Sequence, residues 1–283
     1  MTHPAFSKSS VAVITGGASG IGLAAAKRFA SMGMKVAIAD LGGKKLEEAR
    51  QEIVDINSVQ SADIISVPTD VTSLDDLRSL KHAVDEKFGG VDVLMNNAGI
   101  QPGSSVFDPN NWKRIIATNL MAIIHGCQTF GPSMIARKKP GLIINTGSKQ
   151  GITTPPGNPA YNVSKSGVKT YTEALQHELR NTKDCDVTAH LFIPGFVYTA
   201  LTKGDRTEKP AGAWTPEQTV DFMMQSVDAG DFYILCPDND VARSLDEKRI
   251  LWAANDIIEN RPPLSRWHAD YETKFADFLK QPS

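Results

Sequence analysis

Val11-Ala12-Val13-Ile14-Thr15-Gly16-Gly17-Ala18-Ser19-Gly20-Ile21-Gly22 passes from a short β-branched apolar run, through a turn dense in glycine, into a stretch with helical periodicity. An apolar run bounded by polar residues and glycine suits a strand covered on both faces of a parallel sheet. From Ile21 to Met32 the residues Ala24, Ala25, Ala26 and Phe29 share a compact face, and Gly33 suits a C-terminal cap. Glycines in such a turn let the backbone bend sharply and approach a pyrophosphate, which the amino terminus of the following helix then faces.

The alternation repeats outward from this unit. Val36–Ala39 gives a second strand, Lys44–Ile56 a charged amphipathic helix, Asp63–Val67 a third strand, and Ser73–Phe88 a helix with Ser73 and Asp76 placed as a capping box. Val91–Met95 is the fourth strand. A helical stretch from about Asn110 to Arg137 follows, with Gly131-Pro132 expected to kink or end it. Leu142–Ile144 and Val187–Ile193 are strands five and six, separated by a helix carrying Tyr161 and Lys165. Regular βα alternation implies right-handed crossovers and a doubly wound, Rossmann-like parallel α/β sheet of about seven strands with helices on both faces. No Pro/Gly/Ser-rich linker divides the 283 residues, so residues 1–283 read as a single domain with a dinucleotide site at the first turn.

Asp40 closes the second strand, where an acidic side chain accepts hydrogen bonds from an adenosine ribose and repels a 2′-phosphate. No Arg or Lys lies inside the glycine turn. NAD is therefore favoured over NADP, although Lys44 and Lys45 lie nearby in sequence.

Charge is nearly balanced, with 30 Lys plus Arg against 32 Asp plus Glu, which leaves no footprint for nucleic acid or an anionic membrane. The three cysteines, Cys127, Cys185 and Cys236, are odd in number and far apart. They argue against a disulfide framework and for a cytoplasmic location. No His/Cys/Asp/Glu spacing suggests a metal.

Tyr161-Asn162-Val163-Ser164-Lys165 places a phenol and an ammonium about one helical turn apart. A lone tyrosine is a poor acid or base near neutrality. At an effective dielectric of about 20 and about 5 Å, a cation favours the phenolate by roughly 3 kcal/mol, on the order of two pKa units. Such a pair suits proton exchange with an alcohol.

Five motifs in order carry a family resemblance: Thr15-Gly16-x-x-x-Gly20-x-Gly22, Asn96-Asn97-Ala98-Gly99, Ser148, Tyr161-x-x-x-Lys165, and Pro194-Gly195-x-x-x-Thr199. Over roughly residues 10 to 200 the chain resembles the short-chain dehydrogenase/reductase family. The resemblance implies that Tyr161 is the general acid/base, that Lys165 tunes it and holds the nicotinamide ribose, and that Ser148 holds the substrate oxygen. It implies further that Asn119 bends the long helix and supports a water-mediated relay to the lysine. Cofactor contacts are implied for Gly16, Ser19, Gly20, Ile21, Gly22, Asp40, Asp70, Val71, Asn97, Ala98, Gly99, Pro194, Gly195, Val197 and Thr199, besides Tyr161 and Lys165. Assembly as a homodimer or homotetramer through the long helices is also implied, with a small-molecule alcohol or ketone as substrate.

Asp231–Pro237 can supply a seventh strand, and a helical extension occupies about residues 238 to 283 in place of the family's usual glycine-rich ending. Its aromatics Trp267, Tyr271, Phe275 and Phe278 read as packing residues whose partner surface stays open. The polar stretch at about 200–214 resembles a substrate lid. Gln101, Lys149, Gln150, Gly151, Phe196, Tyr198 and Trp214 are candidate pocket residues by position. The expected activity is NAD(H)-dependent interconversion of a secondary alcohol and a ketone. The alternative is a catalytically inactive NAD-binding sensor or scaffold of the same fold.

Overall fold

The computed structural model describes residues 2–281. Its centre is a sheet of seven parallel strands in the order β3-β2-β1-β4-β5-β6-β7: β1 Val11–Thr15, β2 Lys35–Asp40, β3 Ile64–Pro68, β4 Val93–Asn96, β5 Gly141–Thr146, β6 Val187–Ile193 and β7 Tyr233–Leu235. From β1 the chain winds to β3 in one direction and from β4 to β7 in the other. The reversal opens a crevice at the carboxyl ends of β1 and β4, where ligands bind in open α/β sheets.

Two-residue periodicity sorts the core. On one face Ala12 and Ile14 pack under α1 (Gly20–Ser31), α2 (Lys44–Val54) and α8 (Pro216–Ala229), with Phe29, Ile53 and Met223. On the other, Val11 and Val13 pack under α3 (Leu74–Phe88), α5 (Ala122–Ala136) and α7 (Pro159–Asn181), with Leu80, Phe130 and Val168. Each fully buried aliphatic or phenyl side chain contributes on the order of 1.5–3 kcal/mol before conformational entropy is subtracted.

The long helix departs from expectation. It begins as α4 (Trp112–Ile116), passes through a π-helical turn at Ala117–Met121 and continues as α5 through Pro132 to Ala136. The proline does not end it, because Pro132 and Gln128, whose carbonyl loses an intrahelical donor, both lie on the exposed side. The irregularity falls one element earlier, around the fully buried Asn119.

Beyond β7 the chain forms α9 (Arg243–Ile258) and α10 (Glu272–Lys280). The tail packs on α9: Phe275 and Phe278 meet Trp252 at centroid distances of 5.1 and 5.2 Å, and the Arg261 guanidinium lies 4.3 Å over the same indole. Trp252 Nε1 donates to Ser265 Oγ at 2.8 Å. In turn α9 rests against the short helix α6 (Gln150–Thr153), which follows Ser148. Among the described residues no helix is long and apolar enough to cross a membrane.

Candidate active site

The glycine turn is shaped by close approach. Gly16 has φ +66°, and a Cβ there would lie 2.8 Å from Ala98 Cα; one on Gly22 would lie 2.2 Å from Gly16 O. Side chains are excluded, so the loop after β4 closes directly on the turn after β1. Thr15 Oγ1 accepts from Asn97 N at 3.0 Å and Ala98 N at 3.2 Å, and Asn97 Nδ2 donates to Thr15 O at 3.2 Å. Asn96 points elsewhere, donating to Asn145 Oδ1 at 2.9 Å inside the core.

Asp40 braces the turn from β2: its Oδ2 accepts from Ala18 N at 3.0 Å and its Oδ1 from Leu41 N at 2.8 Å. Asp70 Oδ1 accepts from Thr72 N and Thr72 Oγ1 at 2.9 and 2.7 Å. The expected capping box is only half realised. Ser73 Oγ accepts from Asp76 N, but the returning carboxylate of Asp76 takes Asp70 N at 2.9 Å and so holds the Asp70 loop.

Asn158 caps α7, accepting from Tyr161 N, and Pro159 occupies the first turn, where its missing N–H has no cost. One turn on, Tyr161 and Lys165 are both buried. Lys165 Nζ donates to Thr146 O at 2.7 Å and stands 5.8 Å from the Tyr161 ring centroid. Burial pushes Tyr161 above its ordinary range, with the neighbouring Ser148 hydroxyl acting in the opposite direction, and pushes Lys165 down to about 8. The lowering of Tyr161 expected from the lysine is not found: burial is the dominant influence and Ser148 is what opposes it. The ammonium is aimed at a carbonyl, and removal of the phenol from water favours its neutral form.

Asn119 clasps the loop after β4 at both ends of one peptide unit: Oδ1 accepts from Ile100 N and Nδ2 donates to Ile100 O, each at 2.8 Å. Gly99 lies between this amide and the lysine, since a Cβ on it would stand 3.4 Å from Asn119 Oδ1 and 3.9 Å from Lys165 Nζ.

A single cleft of about 1090 Å³ joins these groups. It is at the upper end of small-molecule and cofactor sites. Asp40, Asp70, Val71, Ser148, Tyr161 and Lys165 line it, as do Gly16, Ser19, Gly20 and Ile21 after β1, Asn97, Ala98 and Gly99 after β4, and Pro194, Gly195, Val197 and Thr199 after β6; Gly22 and Asn119 do not. Of the substrate-pocket candidates, Gln101, Lys149, Gln150 and Phe196 line it, whereas Gly151, Tyr198 and Trp214 do not. Gly151 packs on the Lys165 backbone, Tyr198 OH donates to Arg206 O, and Trp214 is anchored to Asn239 Oδ1 and edge-packed on Phe222. The lid-like stretch is thus divided: Ala200 to Thr202 and Gly204 face the cleft while its end is stitched to the body. Sequence reading missed Arg114, Thr118 and Asn158 in the lining. Only for Asn158 was there a signal, the Asn-Pro step that caps a helix.

Among the described residues no cluster of three His, Cys, Asp or Glu side chains could hold a metal. Cys127 is buried beside Asn145 and its thiol is pushed up to about 12, which makes it a packing residue.

The short chain dehydrogenase family model matches residues 10–210. The chain belongs to that family. Like its other members it is an oxidoreductase with a Rossmann-like site for a nicotinamide dinucleotide. It is 33% identical over 194 residues to D-beta-hydroxybutyrate dehydrogenase from Rhizobium meliloti (strain 1021), covering 68% of this chain and 73% of that protein. A short-chain dehydrogenase/reductase from Burkholderia phymatum, solved in complex with NAD, superposes with a TM-score of 0.81 at 28% identity, covering 93% of this chain and 98% of that one. An actinorhodin polyketide ketoreductase solved with NADPH gives a TM-score of 0.70 at 26% identity, covering 80% and 94%. The family spans both forms of the cofactor.

Proposed function

We propose that this short-chain dehydrogenase interconverts a secondary alcohol and a ketone with NAD(H), using Tyr161 as the proton-exchanging group. The observation that carries the reading is the meeting of Ser148, Tyr161 and Lys165 in one cleft whose other end is lined by Asp40 and the glycine turn. The residues fit a dinucleotide: the turn after β1 excludes side chains where a pyrophosphate would approach, and α1 presents its amino terminus there. When bound, the nicotinamide donates or accepts a hydride at the substrate carbon.

The chain's own residues manage the oxygen. Ser148 Oγ hydrogen-bonds the carbonyl or alcohol oxygen, and the buried Tyr161, held protonated at neutral pH, donates its proton to that oxygen in the reductive direction. Lys165 anchors the cofactor ribose, with Gly99 and Asn119 packed close beside its ammonium. We further read the chain as at least a homodimer through the faces of α5 and α7, where Met121 and Val163 are exposed apolar residues at or beside the helices. The intact Ser148, Asn119, Tyr161 and Lys165 set disfavours the alternative of an inactive sensor.

The test is a panel of secondary alcohols and ketones read by nicotinamide absorbance with NAD(H) and NADP(H) in parallel. Turnover is expected with NAD(H), and Asp40→Ser should shift the kcat/KM ratio toward NADP(H) by about tenfold or more, ~1.4 kcal/mol, by removing a charge opposite the 2′-phosphate. A wild-type preference for NADP(H) overturns the role given to Asp40; no turnover of any pair overturns the reaction class.

The depressed Lys165 also sets a pH limb. The ammonium is present below about pH 8 and neutral above it, so kcat/KM for ketone reduction is expected to fall as pH rises through about 8. A profile flat from pH 7 to beyond 9, measured with NADH at fixed ionic strength, contradicts this.

A further inference from the structure

Lys149, the residue after Ser148, lines the cleft, and its ammonium is paired with two carboxylates. Its Nζ makes an ion pair with Asp246 Oδ2 on α9 at 2.5 Å and donates to Asp238 Oδ2 at 3.4 Å. Both carboxylates are almost fully buried. Asp238 Oδ2 also accepts from Phe196 N at 3.0 Å, and its Oδ1 accepts from Val241 N at 2.8 Å. A Cβ on Gly195 would come within 2.8 Å of the same Oδ2, so the loop after β6 is pressed against this carboxylate. One ammonium therefore ties together the segment bearing Ser148, the loop bordering the nicotinamide end of the cleft and the start of the C-terminal extension. The extension lies outside the residues matched by the family model.

We propose that Lys149 is a positioning residue, held by Asp246 and Asp238, through which the C-terminal extension fixes Ser148 relative to Tyr161. The geometry supports this specifically. Lys149 O accepts from Ile152 N and Thr153 N, so the residue that carries the ammonium also starts α6, and Ser148 Oγ accepts from Gln150 N in the same turn. Moving the Lys149 side chain moves the turn that aims the serine. Burial raises the Asp246 carboxyl above its usual range, and the Lys149 ammonium counters that rise; Arg249 adds a second favourable charge. Removing Lys149 leaves two nearly buried carboxylates facing one another with Arg249 as the remaining favourable charge on Asp246, and removing the Asp246 charge leaves the ammonium with Asp238 alone.

This inference rests on the reaction proposed above, and the two are separated in one experiment. Steady-state reduction by NADH of the ketone turned over best is measured for the full-length wild type, Lys149→Met, Lys149→Arg and Asp246→Asn, with Tyr161→Phe alongside. NADH affinity is followed by fluorescence titration, and the isotope effect with 4-deuterated NADH is recorded. The expected result is a fall in kcat of about tenfold or more in Lys149→Met and Asp246→Asn, NADH affinity within about twofold of wild type, a larger isotope effect as hydride transfer becomes limiting, and substantial recovery in Lys149→Arg. Unchanged kcat in the first two variants overturns the positioning role. So does a parallel loss of NADH affinity and kcat, or failure of both Lys149→Met and Asp246→Asn to fold, because either outcome assigns the cluster to folding alone. Inactive wild type would instead remove the underlying reaction, and an active Tyr161→Phe would remove its mechanism.

Discussion

Tyr161→Phe is expected to lower kcat by about 10³-fold while leaving NADH affinity within roughly twofold. The change removes one oxygen from a buried ring and nothing else. The phenyl ring keeps its packing, Asn158 still caps α7 through the backbone N–H of residue 161, and Lys165 still donates to Thr146 O. Loss of turnover would therefore isolate the proton. Burial holds the phenol neutral near pH 7, so reduction of a ketone has its donor in place, whereas oxidation of an alcohol requires the phenolate and should accelerate toward alkaline pH until Lys165 loses its charge. Stopped-flow single turnovers by Tyr161→Phe at near wild-type rate would show that water or another group supplies the proton.

Gly22→Ala is expected to destabilise the fold by about 2–4 kcal/mol, lowering Tm by at least roughly 5 °C, and to weaken NADH binding by more than about 100-fold. The added methyl would meet Gly16 O at 2.2 Å and Asn97 Nδ2 at 2.7 Å. Neither neighbour can retreat: Gly16 is itself wedged against Ala98, and Asn97 is bonded back to Thr15 O. The strain must spread into the turn after β1 and the loop after β4, the two segments that frame the dinucleotide end of the cleft. Gly131→Ala is the control, since a Cβ there has no atom within 4 Å and alanine suits a helix interior better than glycine. Scanning calorimetry with and without NADH separates the two effects. A Gly22→Ala protein that melts and binds like wild type would place the cofactor elsewhere.

Much of the architecture was legible because each strand and helix carries its own period and its own stop signal. Val187–Ile193 was read to the residue. Errors arose where a local rule met a solvent-facing or shared environment. Gly131-Pro132 was read as kinking or ending the helix, which instead runs on to Ala136 because the carbonyl that Pro132 orphans lies on the exposed side; Trp214 was read as pocket lining, but its indole N–H found Asn239. Arg114 and Thr118 were invisible because nothing in a helical pattern reveals which of its polar residues a distant loop will leave facing a cleft.

By itself the sequence determined the order of strands and helices, the glycine turn and the Tyr161/Lys165 spacing, because these depend on residues close along the chain and on a backbone that bends only where side chains permit. Tertiary structure alone decided that Lys149 is paired with Asp238 and Asp246, that Phe275 and Phe278 close on Trp252, and that Tyr161 is raised instead of lowered. Those outcomes depend on charge partners and on the exclusion of water by segments far apart in the chain. Desolvation and ion pairing are properties of the assembled environment, and no single stretch of sequence contains that environment.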